Sequence, residues 1–226
     1  MKPFKILRIA SAAVLALMLA HGAGAVELRM SGGSIPFKAQ LPEGWCAFDN
    51  EAKADRAFAA YLSKAAGRSI RVLGITAPCR ELADFRKNGR RIPERFAAMA
   101  QVGVDGGFGR FLMGRAVYNA LITSFSPSDM SRTEKRATKR LSEYGDSVSG
   151  LRVKILGTAA KASWFEGEGV ITHEGGSSQT LRLVGGSTLV SKYPVAAFYV
   201  TAGAGSLDEA LRSIAMPLLK GVDSAR

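Results

Sequence analysis

Histidine and cysteine are scarce in this 226-residue chain, two of each, and the scarcity removes chemistry before any motif is considered. A zinc site takes about four protein ligands, or three and a water. Cys46, Cys79, His21 and His173 fit no ligand spacing, so a metal centre would have to recruit carboxylates. No acidic cluster stands out to supply them, or to act as a general acid and base pair. Also missing are the G-x-S-x-G elbow and the S-x-x-K pair of serine nucleophiles, the G-x-G-x-x-G dinucleotide loop and the Gly-Lys-Ser/Thr phosphate loop. No cofactor is therefore expected. Acidic residues are outnumbered as well: 19 Asp and Glu stand against 31 Lys and Arg, a net charge of +12. That balance favours anionic partners such as lipid head groups, wall polymers, nucleic acid or an acidic protein, without selecting one.

Long apolar runs are absent except in residues 9–20, IASAAVLALMLA, which follow Lys2, Lys5 and Arg8. A basic segment, an apolar stretch too short to span a bilayer comfortably, and the small residues Ala23, Gly24 and Ala25 make a secretory signal peptide. Cleavage is expected after Ala25, giving a leader over 1–25 and a single domain over 26–226. A retained amino-terminal anchor is the competing reading. No cysteine follows the apolar run at the cleavage point, which argues against a lipoprotein. Losing three basic residues and no acidic one leaves a net charge of about +9. No transmembrane helix is expected after cleavage.

Export sets the expectation for the cysteines, because two thiols in an oxidising compartment are normally joined. Cys46, in LPEGWCAFDN, and Cys79, in ITAPCREL, are 33 positions apart, and closing such a loop stabilises a fold by roughly 3 to 4 kcal/mol. The alternative is a Cys46 nucleophile with His173 as base, the only imidazole left once His21 departs with the leader. His173 lies in HEGGSS, which reads as a hairpin loop.

Along the domain, ELRM, SGGS and IPFKAQLP read as a hairpin. Residues 49–69 read as a helix capped by Asp49 or Asn50, with Ala54, Phe58, Tyr61 and Ala65 on one face and Gly67 as terminator. SIRVLGITAP reads as a buried strand that delivers Cys79. Residues 80–101 read as two short helices, broken at Asn88-Gly89 and restarted by Pro93, and the glycine-rich residues 102–115 as an irregular loop. A strand is expected around Tyr118 to Phe125. SDMSRTEKRATKRLSEYG reads as a basic amphipathic helix with Ser131 and Glu134 as a capping box, Ala137, Leu141 and Tyr144 on one face, and Gly145 at its end. From Leu151 an antiparallel meander is expected, with turns at EGG and VGG. A closing helix carries a second capping box, Ser206 and Glu209, and a stripe of Leu207, Leu211, Ile214 and Leu218, with Pro217 kinking or shortening it. The expected fold is α+β, an antiparallel sheet flanked by helices.

Three segments invite a functional reading. The cluster Gly106-Gly107-Phe108-Gly109-Arg110 could cradle an anion, although a plain surface loop explains it as well. Gly145-Asp146-Ser147 matches a hydrolase block that needs a distant histidine, and here it only follows a helix terminator. The basic surface has more functional character. Arg132, Lys135, Arg136, Lys139 and Arg140 lie on the outer side of one helix, and Arg86, Lys87, Arg90 and Arg91 surround Asn88-Gly89. These are anion-binding candidates; against them stands a solvated helix face, since Glu134 and Glu143 interleave and no aromatic row accompanies the charges.

Taken together, LPEGWCAFD before a helix, the strand into APCREL with its second cysteine, the following Arg86-Lys87-Asn88-Gly89, and VAAFYVTA before a closing helix resemble exported bacterial proteins of uncharacterised function with a PsbP- or DcrB-like α/β sandwich. The resemblance implies a central antiparallel sheet between helices and a non-catalytic accessory role in the cell envelope. It carries over no catalytic residue, and the loop from Gly103 to Arg115 departs from it. The expectation is thus a periplasmic or secreted binding or accessory protein that engages an anionic envelope component or an acidic protein through a basic surface. A periplasmic hydrolase or transferase using Cys46 or a site near His173 is the rival. A small-ligand carrier is a third reading, and it predicts an apolar pocket between the sheet and a helix layer.

Overall fold

The computed structural model describes residues 27–32, 35–88, 92–103, 107–124, 147–173, 176–203, 206–220 and 223–224, with seven positions of a helical stretch between 131 and 142. The expected leader and its cleavage point lie outside the described residues. Strands β1 (Glu27–Gly32) and β2 (Ile35–Gln40) form the expected hairpin. They are followed by β3 (Trp45–Ala47), α1 (Lys53–Ala66), β4 (Ile70–Pro78), α2 (Cys79–Asn88), β5 (Arg95–Val102) and α3 (Arg115–Thr123). The meander comprises β6 (Ser147–Ala159), β7 (Ala162–Thr172), β8 (Ser178–Val190) and β9 (Tyr193–Thr201). The closing helix runs as α4 (Leu207–Ala210), a π turn (Leu211–Ala215) and α5 (Met216–Lys220), before β10 (Asp223–Ser224) pairs with β2.

Seven strands make one antiparallel sheet in the order β3-β4-β5-β9-β8-β7-β6. Alternation along each strand sends successive side chains to opposite faces, and each face has its own core. On one, Phe58 of α1 packs with Leu82 and Phe85 of α2 over Ile75, Ala77, Phe96 and Ala98. Its ring stands edge-on to Phe96 at 5.0 Å and lies 5.6 Å from Phe48, the tilted arrangements aromatic quadrupoles favour. On the other face, Phe37 and Ala39 of β2 and Ala215, Leu218 and Leu219 of the closing helix cover Ala97, Met99, Val195, Ala197 and Trp164. The chain is thus an α+β fold with helices on one side of the sheet and a hairpin plus helix on the other.

Several expectations are corrected. RFAAMAQV is not a helix but β5, between β4 and β9. Its alanines are good helix formers, yet they alternate beneath both layers, and pairing on two sides overrides local propensity. AVYNALIT is helix α3 rather than a strand, because its polar Tyr118 and Asn119 face the sheet and are bonded there. VGG is no turn: Gly185 and Gly186 lie inside β8, and a Cβ on Gly186 would stand 2.4 Å from the Trp164 ring, so only glycine lets that indole lie on the strand. The real turn beside it is Ser191-Lys192.

At α1 the N-cap is Ala52 with no side-chain cap. Asp49 instead accepts the Glu51 N–H, and Gly67 closes the helix at φ 71° as expected. Ser131 is itself helical, and Glu134 does not close a capping box: its Oε1 accepts the Val153 N–H at 2.9 Å, covering the outer edge of β6. Ala137, Leu141, Tyr144 and Gly145 lie outside the described residues. Ser206 does cap the closing helix, accepting the Glu209 N–H. That helix continues through Pro217, which lacks an N–H and would clash with the carbonyl four residues back. The π turn just upstream, where Met216 N–H reaches the Leu211 carbonyl, absorbs the mismatch.

Candidate functional site

The antiparallel order gives the sheet two ends. One holds the start of β3, the end of β4 and the start of β5. There Cys46 and Cys79 are joined in a disulfide with their Cα atoms 4.8 Å apart. The clamp is reinforced by the Cys79 N–H donating to the Gly44 carbonyl at 2.9 Å, and by Thr76 Oγ1 donating to the Cys46 carbonyl at 2.9 Å. His173 sits in the β7–β8 turn, where its N–H meets the Ser177 carbonyl. Five strand spacings separate β3 from β7, about 24 Å. A Cys46 and His173 pair therefore cannot form, and Cys46 has no free thiol to act as nucleophile.

The same end holds two ion pairs. Asp55 is buried in α1 and receives Arg86 through two nitrogens, Nε at 3.0 Å and Nη2 at 2.5 Å, and its Oδ2 also accepts the Asp49 N–H at 2.7 Å. The hydrogen bond to Asp55 raises the Arg86 guanidinium above its ordinary pKa. Arg95 pairs with Glu81, whose hydrogen bond likewise raises it. Arg86 is thus a structural cation and leaves the set of anion-binding candidates. Lys87 beside it is exposed, and Arg90 and Arg91 lie outside the described residues. In the helical stretch Lys135 and Lys139 border a shallow groove with Glu134, Ser131 and Gly150. Arg132 is described and exposed there, whereas Arg136 and Arg140 are outside the described residues.

The opposite end was not anticipated. Here the β6–β7 hairpin turns through Ala160 and Lys161, and the β8–β9 hairpin through Ser191 and Lys192. All four have positive φ, 50° and 65° in the first turn, 49° and 71° in the second. These tight turns normally recruit Asn-Gly or similar pairs. Holding a side chain in the left-handed region costs about 1 kcal/mol per residue, so something must fix the backbone. Asn119 Nδ2 at 3.0 Å and Thr188 Oγ1 at 2.7 Å both donate to the Lys161 carbonyl, while Trp164 Nε1 donates to Ala159 at 2.7 Å. The Phe111 N–H, at 2.8 Å, holds the Lys192 carbonyl. Behind them Tyr118 OH bonds Ser187 Oγ at 2.6 Å, and burial raises that phenol above its ordinary pKa.

Between these turns and the closing helix lies a cleft of about 500 Å³. Its walls carry Arg115, Lys161 and Lys220, and its floor is Trp164, Val190, Met216 and Leu219. No carboxylate lines it among the described residues. Arg115 Nε is fixed on the Leu189 carbonyl at 3.1 Å, leaving the rest of its guanidinium to point elsewhere. The arrangement offers three cationic side chains over an apolar floor, with no carboxylate among the described lining residues. It suits an anion better than it suits covalent chemistry, since the lining holds no imidazole, thiol or carboxylate among the described residues. Its place between the sheet and the closing helix is where the carrier reading expected a pocket, though the lining is cationic as well as apolar. Among the described residues no group of three or more His, Cys, Asp or Glu side chains is placed to hold a metal. The glycine cluster contributes little: Phe108 lies under the Arg71 guanidinium at 4.2 Å, and Gly103 packs against the Gly107 carbonyl.

Sequence reasoning missed this site because its cations are far apart in the chain, and TAAKAS and LVSKYP contain no turn-forming glycine or asparagine. The available signal was a long β run on each side of each Lys.

No protein-family model matches the chain, and no curated protein matches it. Among solved structures, the solution structure of cyanobacterial PsbP (CyanoP) from Synechocystis sp. PCC 6803 is similar over 90% of this chain and 95% of that one, with 11% identity and a TM-score of 0.42. A likeness at this level carries nothing about role.

Proposed function

We propose that this is an exported, non-catalytic binding protein of the bacterial envelope that engages an anionic partner. The observation that supports it most is the cleft in which Arg115, Lys161 and Lys220 face no carboxylate among the described residues. The amino-terminal signal pattern and the disulfide support export. No helix among the described residues is long and apolar enough to cross a membrane. The net charge brings anions to the surface at any point; the cleft gives them a place to stay.

Short-chain inorganic polyphosphate is a suitable probe. The exported chain should bind it in a salt-sensitive manner, and the double variant Lys161→Glu/Lys220→Glu should lose at least tenfold in affinity with its thermal unfolding unchanged. Equal affinity in the wild type and the double variant would remove the cleft as the site, and no binding even at low salt would remove the anionic partner.

A further inference from the structure

The exposed large apolar side chains among the described residues are Leu112, Val117, Leu121 and Leu156 of β6, and the first three lie at the end that holds the cleft. Leu112 is 95% exposed, Val117 59% and Leu121 47%. They are not scattered. Leu112 follows Phe111, whose N–H is bonded to the Lys192 carbonyl and whose ring stands edge-on to Tyr118 at 5.8 Å. Val117 and Leu121 are one helical turn apart on α3, whose Asn119 holds the Lys161 turn. Arg110 lies 6.0 Å over the ring of Tyr193, at the root of the second turn. One end of the sheet therefore presents Leu112, Val117 and Leu121 among Arg110, Arg115, Lys161, Lys192 and Lys220.

A soluble anion explains the cations and leaves the leucines unexplained. Apolar side chains in water are unfavourable, and one that projects almost completely from a pinned loop has no part in the core. Exposed apolar groups ringed by Lys and Arg are what an interfacial anchor requires: the cations meet lipid phosphates while the apolar groups enter the boundary with the acyl chains. We propose that this end docks on a bilayer of anionic phospholipid, with Leu112 as the inserted tip and the cleft cations on the head groups. The inference rests on the anionic-partner reading above and adds the partner's physical form.

Sedimentation of the exported chain with vesicles tests it. The wild type should pellet with vesicles of phosphatidylglycerol and phosphatidylethanolamine and stay in the supernatant with phosphatidylcholine alone. Leu112→Asp should cut the bound fraction on anionic vesicles about tenfold, while lowering polyphosphate affinity much less, by the repulsion of the added carboxylate alone. Because Leu112 is exposed, the substitution does not threaten the fold. As a second readout, Leu112→Trp should shift its emission to the blue on anionic vesicles only. If Leu112→Asp pellets as well as the wild type, or if the wild type binds polyphosphate but no vesicle, the membrane proposal is overturned and the anion-binding cleft survives. If Arg132→Glu/Lys135→Glu/Lys139→Glu abolishes pelleting and Leu112→Asp does not, the docking surface is the basic helix instead. If neither vesicles nor polyphosphate bind, both proposals fail together.

Discussion

At one end of the sheet, Cys46 is bonded to Cys79, Arg86 to Asp55 and Arg95 to Glu81. At the other, Arg115, Lys161 and Lys220 surround a cleft that no carboxylate lines among the described residues, between two turns built from residues that turn geometry disfavours. Both ends contain buried hydrogen bonds, so the difference lies in what is satisfied. In the first, Arg86 and Arg95 each meet a carboxylate and the chain is cross-linked, which stabilises the fold and leaves those two cations little to offer a partner. In the second, backbone strain is held in place by Asn119, Thr188 and Phe111, and no described lining residue supplies a carboxylate to the cations. Strain of that kind persists where surrounding structure over-determines it, and it often accompanies a site.

The comparison predicts that damage at the two ends has opposite signatures. The largest effect belongs to the disulfide. Replacing both cysteines by alanine should lower unfolding stability in urea by about 3 kcal/mol or somewhat more, given the 33-residue separation, and leave polyphosphate affinity unchanged. Next comes Arg86→Met, which strands the buried Asp55 carboxylate; a loss of about 3 kcal/mol is expected by the same urea measurement, again with binding intact. If either variant binds polyphosphate markedly less, the two ends are coupled and the contrast is too sharp.

At the cleft end the signs reverse. Lys161→Gly removes a side chain from φ 65° and should stabilise by up to about 1 kcal/mol, with part of the gain offset by the freer unfolded chain, while anion affinity falls. A stability loss would show that the Lys161 side chain holds the turn. The smallest effect is confined to alkali. Burial raises the Tyr118 phenol above 10.0, so the folded state holds that proton more tightly than the unfolded chain. Its stabilising effect is complete below the unfolded value near pH 10 and is lost as pH rises through the folded value. Tyr118→Phe should therefore flatten the alkaline limb of the stability curve, at the cost of the Ser187 bond at neutral pH.

What could be read from the chain follows the same division. The locked end was legible because its signals are local: a β-branched run leads to Pro78, and two cysteines admit only one bond between them. The cleft end was not, because its elements are decided by tertiary pairing. Arg95–Val102 looks helical until β4 and β9 flank it, and Arg115–Thr123 looks extended until Tyr118 and Asn119 find Ser187 and Lys161. Gly185-Gly186 looks like a turn until Trp164 lies on it. Charge told the same partial story. The basic helix was visible as a run, whereas Arg115, Lys161 and Lys220 come from three distant segments and meet only when folded. Arg86, by contrast, looked available and is bound to Asp55.

The central claim is that anion recognition belongs to the turn end and not to the locked end or the basic helix. Amide chemical-shift mapping of residues 26–226 during titration with polyphosphate tests it most directly. The account predicts that the perturbed amides gather in residues 110–117, 159–164, 188–193 and 216–220, with those of residues 44–48 and 79–95 unmoved. Perturbations centred on residues 131–142, or spread evenly over the surface, would contradict it.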